Sequence, residues 1–265
     1  MKKGIRICCI VIALIVLLLV GWRISMKIYI STITNQPEKV FEYEDNSDGT
    51  ITLTDVKWFT VIGSFALEND CFELTIPEEI DGKTVTAISH IFLNKKMITS
   101  IELPDSVTSL GDSCFWGFEN LTSINLENVS NIGERCFQYC EKLTSINLES
   151  IRSIGNGAFS YCYSLEEVKF PPSVEEIGVS IFHCCNLDGY IVLPDGLTKI
   201  DNAFFASAFS GVWTEIWIPN TVATIDEDAF RYADNFVRIH APQGSYAANW
   251  LKEHYQEGKW AFEIY

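Results

Sequence analysis

Apolar residues recur along this chain with a period of 22–23, far longer than the repeat of a helix or a strand. One marker is an apolar residue followed by Gly or Asp: Leu110-Gly111, Ile132-Gly133, Ile154-Gly155, Ile177-Gly178, Ile200-Asp201 and Ile225-Asp226. The intervals are 22, 22, 23, 23 and 25 residues. Five residues after each marker stands a Phe: Phe115, Phe137, Phe159, Phe182, Phe205 and Phe230. A second marker keeps step with the first. It is an apolar-x-apolar triplet, at Ile101/Leu103, Ile124/Leu126, Ile146/Leu148, Val168/Phe170, Ile191/Leu193, Ile216/Ile218 and Val237/Ile239. Alternation over three residues predicts a very short strand with one buried face. Pro104, Pro171, Pro194 and Pro219 follow four of these triplets and end the strand, because proline cannot donate to a ladder.

One 22-residue turn of chain cannot bury its own apolar residues. Stacked turns can, each Ile, Leu and Phe lying on its equivalent in the next coil. The pattern therefore predicts an α/β-type repeat solenoid dominated by short parallel strands. Seven strand positions at a spacing of ~4.8 Å give a sheet roughly 30 Å along the axis. Both ends need a cap. At the first, Phe41-Glu42-Tyr43, Asp48-Gly49 and Ile51-Thr52-Leu53 predict a hairpin. An irregular first coil follows, from Leu74 to Ile88, with Phe92 in the Phe position. At the second, Ser245 is placed to cap a helix over roughly Tyr246–Gln256, and Trp260–Tyr265 reads as a last strand or apolar flap.

The middle residue of each triplet points away from the core. That column reads Glu102, Asn125, Asn147, Lys169, Val192, Trp217, Arg238, and the residue before each triplet reads Ser100, Ser123, Ser145, Glu167, Tyr190, Glu215, Phe236. The early coils are small and polar there. The late coils put Tyr190, Val192, Trp217 and Phe236 on one outward face beside Arg238, a composition like that of binding hot spots. These five are the candidate partner-binding residues. The competing reading is that the C-terminal helix or the Trp260–Tyr265 segment folds over them as part of the cap.

Segments such as Leu121-Thr-Ser-Ile-Asn-Leu126 with Ile132-Gly-Glu-Arg-Cys-Phe137-Gln-Tyr-Cys140 resemble the BspA-type leucine-rich repeat. So do Ile76-Pro77 to Val85 and Ala241-Pro-Gln-Gly244-Ser245-Tyr246-Ala247. The resemblance covers roughly residues 41–264. It implies a cell-surface or secreted protein, of a kind often linked to adhesion or host contact. It names no ligand, since the repeat residues are structural. The chain departs from the pattern by an insertion at Ser207–Trp213 and by Glu127 and Glu149, which stand where the strand-ending Pro is usual.

The N-terminus has a separate composition. Ile7–Trp22 is a 16-residue run without charge, about 24 Å as a helix. Arg6 and Arg23 can snorkel, so Ile5–Ile24 can serve as a 20-residue span. A cleaved signal peptide is the rival, but no small-x-small site follows the run. A lipid anchor would need a Cys just after the run, whereas Cys8 and Cys9 lie at its start. Residues 1–30 are thus expected to be a transmembrane signal-anchor, 31–40 a tether containing Pro37, and 41–265 the solenoid with its caps. Lys2, Lys3 and Arg6 outweigh Arg23 and Lys27, which places the N-terminus in the cytoplasm and the remainder outside, as a single-pass membrane protein.

Residues 1–30 hold five basic and no acidic side chains, so the −16 of the whole chain leaves a net −21 beyond them. Such a surface repels nucleic acid. The four histidines, His90, His183, His240 and His254, show no metal-ligand spacing, and no phosphate loop or nucleophile elbow is present. No cofactor or metal is expected, and no catalytic residue is assigned. Asn120-Leu-Thr122 and Asn128-Val-Ser130 match the glycosylation pattern; the repeat itself supplies Leu-Thr at the first, and both are read as coincidence. Seven cysteines lie beyond the anchor, an odd number. Equivalent cysteines on adjacent coils would be near enough to bond but point the same way, so they read as small buried hydrophobes. The expected function is a surface binding or adhesion module contacting a protein or glycan. The alternatives are an envelope spacer without a discrete ligand and an enzyme of unknown type.

Overall fold

The computed structural model describes residues 41–56, 72–91, 95–233, 237–255 and 260–265. The expected anchor and tether lie outside these, as do Cys71, Phe92 and Phe236. Among the described residues no helix is long and apolar enough to cross a membrane.

In chain order, β1 (Phe41–Asp45) and β2 (Ile51–Val56) form the opening hairpin, and β3 (Phe72–Thr75), β4 (Glu79–Ile80) and β5 (Lys83–Ile88) the first coil. The following coils alternate a front and a back strand: β6 (Ile98–Glu102) and β7 (Ser109–Leu110), β8 (Ser123–Ile124) and β9 (Asn131–Ile132), β10 (Ser145–Asn147) and β11 (Ser153–Ile154). Then come β12 (Glu167–Lys169) and β13 (Glu176–Ile177), β14 (Leu187–Val192) and β15 (Lys199–Ile200), β16 (Phe209–Trp217) and β17 (Thr224–Ile225). The chain closes with β18 (Val237–Ala241), helix α1 (Tyr246–His254) and β19 (Ala261–Ile264).

The triplets form the front strands. They pair in parallel within the groups β3-β6-β8, β10-β12 and β14-β16-β18-β19. The marker residues form the back ladder, β5-β7-β9-β11-β13 and then β15-β17. Between the two runs the apolar core. Phe115, Phe137, Phe159, Phe182, Phe205 and Phe230 stack in one buried column, with ring centroids 5.4–6.0 Å apart.

From the coil of Phe115 onward the return side is built from turns, which corrects the α/β expectation. The reason is a pair of left-handed residues in most coils. Two positions before the Phe, Ser113, Arg135, Gly157, Ser180 and Ala203 have φ of 53–60°. Two positions after it, Gly117, Tyr139, Tyr161, Cys184, Ser207 and Tyr232 have φ of 55–74°. A residue at positive φ ends a right-handed helix. Here it also turns alternate N–H groups along the axis. Ser113, Phe115 and Gly117 donate to the carbonyls of Glu134, Cys136 and Gln138 at 2.7, 2.8 and 2.8 Å. Arg135, Phe137 and Tyr139 repeat this onto Asn156, Ala158 and Ser160.

The six described cysteines are free thiols. Three form their own ladder: Cys140, Cys162 and Cys185 donate to the carbonyls of Phe115, Phe137 and Phe159, at 3.3, 3.2 and 3.1 Å. Where the back ladder turns, glycine is required by space. A Cβ on Gly133, Gly155 or Gly178 would come within 2.5 Å of the backbone of the preceding coil.

Both caps form as the pattern predicts. β1 and β2 are antiparallel, with Gly49 at φ 87° in their turn, and β2 joins the back ladder beside β5. At the other end the Ser245 hydroxyl accepts from the Ala248 N–H at 3.0 Å and starts α1. The helix buries Ala247, Ala248, Trp250 and Leu251, and the Trp250 ring sits 6.1 Å from Phe230, closing the column. The expected helix end at Gln256 falls outside the described residues. β19 adds to β18 in parallel.

Candidate functional site

The front sheet changes character along its length. At its N-terminal end Glu73, Thr75, Ser100, Glu102, Ser123 and Asn125 line an open depression of about 580 Å³. Asn125 ties back to both backbone groups of Leu103 there, at 2.7 and 2.9 Å. At its C-terminal end the strands lengthen, and β14, β16, β18 and β19 present a broad face. Ile191, Ile216 and Ile239 pair across it and point inward, fully buried. Their neighbours therefore point outward.

Two outward rows result. One runs Tyr190, Glu215, Arg238, Ala261, and the next Val192, Trp217, His240, Glu263. Tyr190 is 71% exposed, Val192 60% and Trp213 60%, two residues before Glu215 on the same strand. Arg238 lies over the Trp213 ring, 5.6 Å from its centre. Of the five residues expected to contact a partner, Tyr190 and Val192 are exposed and Trp217 and Arg238 half-buried. Phe236 lies outside the described residues.

Sequence reasoning placed Arg238 in the column of Val192 and Trp217. The register moves it by two: Arg238 pairs with Glu215, and His240 pairs with Trp217. The signal was present in Pro242. Aligned on the strand-ending prolines, Leu193-Pro194, Ile218-Pro219 and Ala241-Pro242 are equivalent, and His240 then follows Trp217.

His240 is the centre of the site. Although its strand position is outward, its side chain is only 5% exposed. Its ring lies flat on Trp217 at 4.1 Å, with 5° between the planes. Nε2 is 3.2 Å from Glu215 Oε2, and Nδ1 is 3.7 Å from Glu263 Oε2. Both ring nitrogens are buried and neither makes a hydrogen bond, so the carboxylates stand beside the ring without being tied to it. The Tyr265 ring leans in, 5.2 Å from Trp217, and is itself 56% exposed. The cap thus shades Trp217 through one terminal residue and leaves Tyr190, Val192 and Trp213 open.

A second aromatic row, exposed at Trp116 and Tyr163 and half-buried between them, runs along the turn side, where Trp116, Tyr139, Tyr161 and Tyr163 contact one another in sequence. Tyr139 and Tyr161 stack at 4.6 Å, and Lys95 lies 4.4 Å from the Trp116 ring centre. These rings are largely one another's partners. Among the described residues no group of three or more His, Cys, Asp or Glu is placed to hold a metal ion.

The fold defines a parallel-strand solenoid of leucine-rich repeats closed by one C-terminal helix. The chain belongs to the BspA type leucine-rich repeat family, whose repeat model matches residues 85–210 and 207–249 in six copies. No curated protein sequence matches it. Among solved structures it is similar to a leucine-rich repeat protein of T. pallidum, with a TM-score of 0.57 and 20% identity over 87% of this chain and 100% of that one. It is also similar to a leucine-rich cell surface protein of Faecalibacterium prausnitzii A2-165, with a TM-score of 0.40 and 18% identity over 77% and 87%. The pneumococcal vaccine antigen PcpA gives 0.41 and 14% over 85% and 96%. At 20% identity the likeness to the T. pallidum protein is one of fold.

Proposed function

We propose that this chain is a membrane-anchored, extracytoplasmic binding module that contacts its ligand through the face carried by β14, β16 and β18. The observation that carries the reading is the exposure of Tyr190 and Val192 on the paired strands together with Trp213, which lies in β16 just before its paired run. Large rings held rigidly at a surface lose little conformational entropy on binding, and contiguous exposed apolar area on a folded chain marks contact sites. Anchoring is proposed from the uncharged Ile7–Trp22 run and its basic flank. The rival reading, a spacer whose aromatics only finish the cap, draws on the Tyr265 ring against Trp217.

Two measurements test the proposal. The full chain should stay in the membrane fraction through salt and carbonate washing, and added protease should reach residues 41–265 on intact cells. A mature N-terminus near residue 26 would replace the anchor by a cleaved signal. Tyr190→Ala should leave the melting temperature nearly unchanged while weakening capture of the full chain on a panel of immobilised proteins and oligosaccharides. Capture indifferent to Tyr190→Ala and Trp213→Ala would end the assignment of this face.

A further inference from the structure

We infer that the ligand of this face is a neutral saccharide. The inference rests on the binding reading above and narrows it to one chemistry. It comes from where the charges stand. The buried centre of a protein–protein contact is depleted of charge, because stripping water from a carboxylate without a compensating donor is costly. Here Glu215 sits in the middle of the rings. Tyr190 and Arg238 flank it in its row, and Trp213 and Trp217 lie two residues to either side on its own strand. Glu263 stands at the edge of the next row. An apolar protein surface pressed onto Tyr190 and Trp213 would have to desolvate Glu215 with them.

A sugar meets both kinds of group at once. Its C–H faces lie on aromatic rings, and its hydroxyls donate to carboxylates. A carboxylate has about four lone-pair sites. One oxygen of Glu215 faces His240, and the other can accept from outside. Neither ring nitrogen of His240 is hydrogen-bonded to Glu215 or Glu263, so both carboxylates keep acceptor capacity for a hydroxyl-bearing ligand. His240 also holds Trp217 by stacking, which fixes ring and carboxylate relative to each other. The sign of the charge selects among sugars. The chain carries −16, and the acceptors at the site are anionic, so sulfated and sialylated chains are repelled and uncharged ones are not.

The test uses the full-length chain in detergent, applied to immobilised neutral, sialylated and sulfated oligosaccharides and, in parallel, to a panel of immobilised proteins. Retention is expected on neutral oligosaccharides, with sialylated and sulfated ones weaker by about ten-fold or more. Trp213→Ala and Glu215→Gln should each weaken retention by about ten-fold, while Lys169→Ala, on β12 outside the face, changes nothing. Since Glu215 stands beside a buried histidine, Tyr190→Ala provides a variant at a largely exposed side chain. Retention on proteins alone, lost in Trp213→Ala, would overturn the saccharide inference and leave the binding reading standing. Retention on neither panel would overturn both. Neutral sugars held equally by all the variants would remove the site from this face.

Discussion

Three glycines show how much of this fold is decided by single residues. Gly133, Gly155 and Gly178 each lie where the coil below passes so closely that a methyl group would meet backbone at 2.5 Å. Backbone cannot swing aside as a flexible side chain can. Gly155→Ala should therefore cost more than about 2 kcal/mol, in the range of core overpacking. At Gly111 the corresponding contact is 3.1 Å, so Gly111→Ala should cost much less. Denaturant unfolding of the two variants checks the contrast, and equal costs would mean the coils are not packed as described. The thiols give a pH dependence at the same scale. Burial pushes the Cys114, Cys140, Cys162 and Cys185 thiols well above their usual range, and neighbouring thiols add to the shift at Cys114, Cys140 and Cys185. In the unfolded chain they ionise near pH 8.5. Above that pH the unfolded state holds fewer protons than the folded one, so stability is full below about pH 8 and falls as pH rises. Each thiol contributes about 1.4 kcal/mol per pH unit to the slope until the native thiol itself ionises. Cys162→Ala should make the alkaline limb of a melting-temperature profile shallower; an unchanged limb would show that Cys162 titrates alike in both states.

Among the elements, the caps separate what holds the ends from what forms the repeat. Ser245 satisfies one N–H of α1, and α1 places Trp250 over the last Phe of the column. Ser245→Ala should lower stability by about 1 kcal/mol, a usual N-cap effect. Hydrogen exchange should show the loss first in α1 and β17, which it contacts, and last in β9 and β11. Exchange rising uniformly would mean the helix is not a separate cap. The elements also show where the sequence could be read. Hairpin, coils, Phe column and helix start were legible because each depends on a local period or a turn residue. The left-handed pairs were not, since Arg135, Tyr139 and Tyr161 occupy φ values that composition assigns to glycine. Inter-coil hydrogen bonds hold them there. The Ser207–Trp213 insertion was visible as extra length, but not its result, which is the long strand β16 that brings Trp213 onto the face. His240 was hidden by a choice between two registers of Val237-Arg-Ile239-His-Ala241, each with the same alternation. Only the pairing with β16 distinguishes them.

For the whole molecule, the coils from Leu110 to Ile177 are interchangeable in a way their neighbours are not. β7, β9, β11 and β13 pair at equivalent residues, Ser109 with Asn131, Asn131 with Ser153 and Ser153 with Glu176, so each coil offers its neighbours the same rungs. The consequence is genetic. A duplication or deletion of one 22-residue unit is an edit this architecture can accept, because the cut ends meet a surface like the one they left. Excising residues 133–154 joins Ile132 to Gly155 and brings Phe159 onto Phe115. The shortened chain should fold cooperatively with a lower melting temperature, having lost one coil and one interface. Excising half that length, residues 133–143, joins the back strand β9 directly to the front strand β10 and should yield no folded product. If the in-phase deletion also fails to fold, the coils are not equivalent units. If it folds, chains of this kind can change length in single steps while the face at the far end is inherited intact.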